Sequence, residues 1–134
     1  MADDIEVYAI RYAAREAQAV EHFYRNPPCE GDMPMAYYIW LVKTPHGSIV
    51  LDTGYSRAKA EQMGRTFVGE PLDTVRELGV ELSDVSHLVV SHLHFDHTGR
   101  IGESVDTDIV IQRREMEFWL GPQVHLGEYP ALCD

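Results

Sequence analysis

Cysteine is nearly absent, with only Cys29 and Cys133 in 134 residues. Two thiols cannot make the disulfide framework of a small secreted domain, although a single bridge between them stays open. A reducing cytoplasm is therefore the expected compartment. The acidic opening Met-Ala-Asp-Asp-Ile-Glu also lacks the basic start and apolar run of an export signal. Positive charge is scarce too: Lys and Arg total 11 against 22 Asp and Glu, for a net charge of -11. Such a chain repels phosphate backbones and anionic bilayers, which argues against nucleic acid or a membrane as partner. No apolar run approaches the ~18 residues of a membrane helix. What is present suits a globular chain. The apolar share is 45% and the charged share 25%, which excludes the disordered class, and the length suits one domain with a real core. There is no internal repeat, low-complexity tract or linker.

The order of elements reads as mixed α/β. Ile5 to Ala13 alternates apolar and polar residues loosely, as a first strand would. Arg15 to Tyr24 fits a short helix or an ordered loop, and Asn26 to Pro34, with three prolines and a glycine, is a loop. Met35 to Thr44 is rich in aromatic and β-branched residues and reads as a buried strand. Pro45-His46-Gly47 turns it back into Ser48 to Leu51, which ends in Asp52-Thr53-Gly54. Helices are expected over Arg57–Met63 and Pro71–Leu78, the second with Pro near its start and Gly79 just past its end. Asp84 is placed as the cap of a short turn. The apolar His87–Val90 reads as a strand in a sheet covered on both faces. Asp108–Gln112 is another strand. Arg113–Leu120 is a helix with Met116, Trp119 and Leu120 on one stripe. The tail from Gly121 has no pattern.

Chemistry concentrates in His92-x-His94-x-Asp96-His97, directly after the His87–Val90 strand. Imidazole and carboxylate suit zinc and related divalent ions. In an extended segment, residues i and i+2 point the same way, so His92 and His94 can converge on one ion. A turn into helix would let Asp96 and His97 face a second ion beside it, and Gly99 would let the backbone pass close by. Zinc lowers the pKa of its bound water to about 7, and two ions can share a hydroxide and polarise a carbonyl. Asp96 is placed as the catalytic residue that orients the nucleophile and passes a proton to the leaving group. The pattern points to metal-assisted hydrolysis of an ester-like bond, with a fortuitous surface cluster as the bland alternative. His22, His46, His87 and His125 are scattered and read as exposed or core-satisfied. Tyr37, Tyr38 and Trp40 read as core or sheet-face residues, and Met33 and Met35 as packing rather than substrate contacts.

The stretch Ser91-His-Leu-His-Phe-Asp-His97 resembles the signature of the metallo-β-lactamase superfamily, and Leu51-Asp-Thr-Gly54 resembles its second N-terminal landmark. Within that superfamily the chain is most similar to N-acyl-homoserine lactonases. The closer likeness lies in HLHFDHTG, in Ile109-Val-Ile-Gln-Arg113 with the following Glu115, and in the aromatic hairpin strand before LDTG. The resemblance implies an α/β fold, the N-terminal half of an αββα sandwich. It also implies a metal-dependent hydrolase that opens a lactone ring by attack of a metal-bound hydroxide, the reaction of quorum quenching. Two Zn2+ ions would serve a complete site. His92 and His94 would ligate the first, Asp96 and His97 the second, while Asp52 supports from beneath without ligating.

The resemblance spans nearly all of residues 1–134 but only the first half of the family pattern. A third histidine, a bridging aspartate and a last histidine are missing, and His125 lacks the context of a ligand. Each ion would then have two protein ligands where catalytic zinc sites hold three. Half a sandwich also leaves an apolar sheet face bare, which calls for the missing C-terminal half or a homodimer to cover it. The expectation is therefore a partial domain of a longer enzyme, inactive by itself, with a short self-associating protein as the other reading. A glyoxalase II-like thioester hydrolase and a non-catalytic metal-binding remnant or interaction module are the functional alternatives.

Overall fold

The computed structural model describes residues 4–23, 25, 29–104 and 106–122. Among the described residues six strands form one sheet: β1 (Glu6–Arg15), β2 (Met35–Thr44), β3 (Gly47–Leu51), β4 (Thr66–Phe67), β5 (Val85–Val90) and β6 (Asp108–Ile111). Among the described residues the helices that accompany them are α1 (Arg57–Gln62), α2 (Pro71–Glu77), α3 (Phe95–Thr98) and α4 (Arg113–Trp119). The strand order is β4-β1-β2-β3-β5-β6. The β1–β2, β2–β3 and β1–β4 pairs are antiparallel, whereas β3–β5 and β5–β6 are parallel.

The antiparallel half grows from local sequence. Thr44 pairs with Gly47 across the Pro45-His46 turn, and Gly47 adopts φ 133, a conformation that side chains resist. Along β2 the pleat sends Tyr37, Ile39 and Leu41 into the core and leaves Tyr38 and Trp40 about 40% exposed. In β1 the register shifts between Arg11 and Ala13. This bulge breaks the two-residue alternation, so the adjacent Tyr12 and Ala13 are both buried. The loose alternation read from the sequence has this physical cause.

The core lies on one face of the sheet. Ile10, Tyr12, Ile39, Leu41, Val50, Leu88 and Val90 pack in one cluster with Ala60 of α1 and Leu72 and Val75 of α2. Pro71 opens α2, where a missing N–H costs nothing, and Gly79 follows its end at φ 82. Among the described residues no element covers the opposite face. There the register sets Ala9 beside Trp40, Trp40 beside Leu51, Leu51 beside Val89 and Val89 beside Val110, an apolar row across five strands.

Several expectations change in detail. β1 and β5 are each two residues longer than read at one end, and β4 was not foreseen because two residues leave no periodic pattern. Of the segment read as a short helix or loop, the described residues 15–23 hold one 3₁₀ turn, Ala19–Glu21. Asp84 is the last residue of the 3₁₀ turn Leu82–Asp84 and not its cap, a place taken by Glu81 without a side-chain bond. The continuous apolar run of β5 does not mark burial on both faces: Leu88 and Val90 are buried, Val89 is half-buried and His87 is exposed. Leu120 is 75% exposed and lies outside the stripe of Met116 and Trp119, because α4 ends at Trp119. The 26–28 part of the predicted loop, the tail beyond Pro122, His125 and Cys133 lie outside the described residues. Cys29 is exposed and free.

Candidate metal centre

β3 and β5 run parallel and finish side by side, and the segments that leave them carry the site. After Leu51 the chain enters Asp52 at φ 62, a left-handed conformation that aspartate tolerates better than most residues. Its N–H donates to the Val89 carbonyl at 2.9 Å. Gly54 follows at φ 69, and a Cβ there would lie 3.0 Å from the Tyr12 ring. After Val90 the chain runs through Ser91–His94 and then winds into the single turn of α3. The His94 carbonyl accepts from the His97 and Thr98 N–H groups at 2.9 and 3.1 Å. Two residues lock that turn onto the Asp52–Gly54 segment. The Thr53 N–H donates to the His97 carbonyl at 2.7 Å, and the Thr53 hydroxyl accepts from the Arg100 N–H at 3.2 Å. Gly99 packs so closely that an added Cβ would sit 3.0 Å from the Gly54 carbonyl oxygen, so its small size serves this junction.

The side chains form two tiers. The lower is the buried Asp52 carboxylate. Its Oδ1 accepts the Ser91 N–H at 2.8 Å, and its Oδ2 accepts the Ser91 hydroxyl at 2.8 Å and lies 2.7 Å from His97 Nδ1. Burial opposes this charge, but the hydrogen bonds from His97 and Ser91 outweigh it and hold the carboxyl below its usual pKa. Burial likewise opposes a charged His97, yet Asp52 raises its pKa above the ordinary imidazole value. An Nδ1–H donated to Asp52 leaves the Nε2 lone pair of His97 facing outward, the arrangement by which a carboxylate orients a metal-binding imidazole.

The upper tier is half-buried. His92, Asp96 and His97 each offer a donor atom, and the three atoms lie within 4.8 Å of one another. His94 stands beside them, its Nδ1 3.1 Å from His92 Nε2. His97 Nε2 lies 3.6 Å from Asp96 Oδ2. Two nitrogens bound tetrahedrally to zinc at 2.0–2.1 Å would be about 3.3 Å apart, close to the 3.1 Å between His92 Nε2 and His94 Nδ1 and the 3.6 Å between His97 Nε2 and Asp96 Oδ2. His92 has its pKa lowered by burial and then by His97 and His94, which favours the neutral, ligating form. All four residues picked from the sequence thus meet at one place. The tight group joins His92 to Asp96 and His97, whereas the sequence reading paired His92 with His94 and Asp96 with His97.

Residues outside the motif hold it in place. The buried Tyr12, aimed by the β1 bulge, donates its hydroxyl to the Asp96 carbonyl at 2.7 Å. Ser91 links Asp52 to His92 Nδ1 and His97 Nδ1, at 3.1 and 3.2 Å from its hydroxyl. Glu115 and Trp119 of α4 reach the His92–His94 segment. The sequence reading missed Tyr12, Ser91 as a hub, and Trp119 as a neighbour of His94. Only the i, i+4 spacing of Glu115 and Trp119 on a predicted helix hinted that they share a face. His22 is satisfied by the Met33 carbonyl at 2.7 Å, and His46 and His87 are exposed, none of them near the cluster's donor group.

Residues 32–125 match the profile of the Metallo-beta-lactamase superfamily. The chain belongs to that superfamily. The chain is 43% identical over 138 aligned positions to N-acyl homoserine lactonase AttM of Azorhizobium caulinodans, covering 92% of this chain and 52% of that protein. It is 34% identical over 116 positions to an N-acyl homoserine lactonase of a Bacillus species, covering 76% and 44% respectively. The fold superposes on the crystal structure of a quorum-quenching N-acyl homoserine lactone lactonase with a TM-score of 0.70 at 26% identity, over 99% of this chain and 54% of that one. The chain spans about half the length of the curated relatives it matches. The α/β fold class implied by the resemblance, the N-terminal half of an αββα sandwich, is thus the one observed.

Proposed function

We propose that this chain binds divalent metal, zinc in the first instance, through His92, His94, Asp96 and His97, and serves the hydrolysis of a lactone, most specifically an N-acyl-homoserine lactone. The carrying observation is the convergence of His92, Asp96 and His97 donors above the buried, hydrogen-bonded Asp52. The choice of lactone rests on relatives 34–43% identical that are named for it.

Bound zinc would lower the pKa of a water to about 7 and polarise a carbonyl. The residues of this chain prepare that chemistry. Asp52 fixes the His97 ring so that Nε2 faces the cluster, and Ser91 holds the carboxylate in turn. Tyr12 pins the backbone of Asp96, which keeps its carboxylate at the rim. From there Asp96 Oδ would accept a proton from the nucleophile and return it to the ring oxygen that leaves. A neutral, partly apolar substrate is indifferent to the -11 charge of the chain.

The test is zinc content after dialysis, run with an assay for opening of an N-acyl-homoserine lactone and, in parallel, of a glutathione thioester. Bound zinc with lactone turnover is the expected result. Preference for the thioester would move the reading to the glyoxalase II type. A chain that holds no zinc would overturn it. The second reading concerns the 134 residues alone. The described residues bring four donors together, and on this reading the chain holds stoichiometric metal without turnover.

A further inference from the structure

We propose that Glu115 is a positioning residue, one that holds the backbone between His92 and His94 so that both imidazoles point at the metal. This inference rests on the metal reading above. Val90 of β5 pairs with Ile111 of β6, and the two parallel strands leave the sheet at the same end. One runs into Ser91–His94 and the other, through Gln112, into α4. Glu115, in the first turn of α4, is thereby brought beside a segment 22 residues earlier in the chain. Its Oε1 accepts the Leu93 N–H at 2.9 Å and the Trp119 indole N–H at 2.7 Å. Leu93 is the single residue between the two histidines. Trp119 lies one helical turn after Glu115, and its ring meets the His94 ring edge-on, with centroids 5.7 Å apart.

One carboxylate oxygen therefore fixes two things. It sets the peptide whose orientation decides whether His92 Nε2 and His94 Nδ1 face each other, as they do at 3.1 Å. It also sets the indole that walls His94 on its outer side. The demand on the side chain is an acceptor oxygen at that reach. Glutamine supplies one, alanine supplies none, and aspartate falls short by one methylene.

The experiment is a Co2+ titration of the 134-residue chain, read by the visible d–d bands and by the affinity they report. It is paired with amide hydrogen exchange of Leu93 in the metal-free chain. Glu115→Ala is expected to weaken Co2+ by about 10–100-fold, the range for loss of a group that orients a ligand, and to alter the d–d spectrum. It should also speed exchange of the Leu93 amide. Glu115→Gln is expected to stay within about threefold of the parent, since a neutral acceptor is weaker than a charged one. Should Glu115→Ala not fold by circular dichroism, Glu115→Asp replaces it, with the same weakening expected. Unchanged Co2+ affinity and unchanged Leu93 exchange in the folded variant would overturn the proposal, as would Glu115→Gln doing the damage of Glu115→Ala. If the parent chain gave no d–d bands, the metal reading would fail, while Leu93 exchange would still report whether Glu115 clamps the segment.

Discussion

The two faces of the sheet carry similar side chains and meet different fates. Tyr37, Ile39 and Leu41 are buried beneath the helices, whereas Tyr38 and Trp40, interleaved with them on the same strand, are about 40% exposed. Nothing in their apolar character separates them. The difference lies in what packs above each face, since the hydrophobic gain follows area removed from water. The candidate metal centre draws its support from the covered side. Tyr12 reaches Asp96 from the core, and Asp52 is anchored where β3 and β5 end.

The sharpest way to break this contrast is Leu41→Ala on the covered face. Leu41 is fully buried, so its truncation should cost about 2–5 kcal/mol in urea denaturation, the range for a core leucine. Next comes Asp52→Ala. It removes the acceptor of the Ser91 N–H, the Ser91 hydroxyl and His97, and unfolding curves should show a loss of about 1–3 kcal/mol. Calorimetry should then show zinc affinity falling by about 10–100-fold, because the His97 ring is no longer oriented. Tyr12→Phe keeps the ring and deletes the bond to Asp96, for a loss of about 0.5–1.5 kcal/mol by the same denaturation assay. Smallest of all, Trp40→Ser on the open face should cost about 0.2–1 kcal/mol in the same denaturation assay, the worth of its cross-strand contacts. A cost for Trp40→Ser equal to that of Leu41→Ala would mean that the open face is covered in solution, and the contrast between the faces would vanish.

The sequence alone determined the hairpin of β2 and β3, the helix α2 and the His/Asp cluster, because each is written in neighbouring residues. Pro71 and Gly79 mark the ends of α2, the Pro45-His46-Gly47 turn fixes a register, and His92 to His97 falls within one strand exit and one helical turn. Asp52 was legible only through the Asp-Thr-Gly landmark, since 45 residues separate it from His97. Only the tertiary structure decided the rest. Tyr12 meets Asp96 across 84 residues because a bulge re-aims it, and Glu115 meets Leu93 because β5 and β6 lie parallel. Which face of β2 and β5 is buried was likewise settled by the helices above it. An apolar run states what a strand would gain from cover, but contacts distant in sequence depend on strand order and register, which no local pattern encodes.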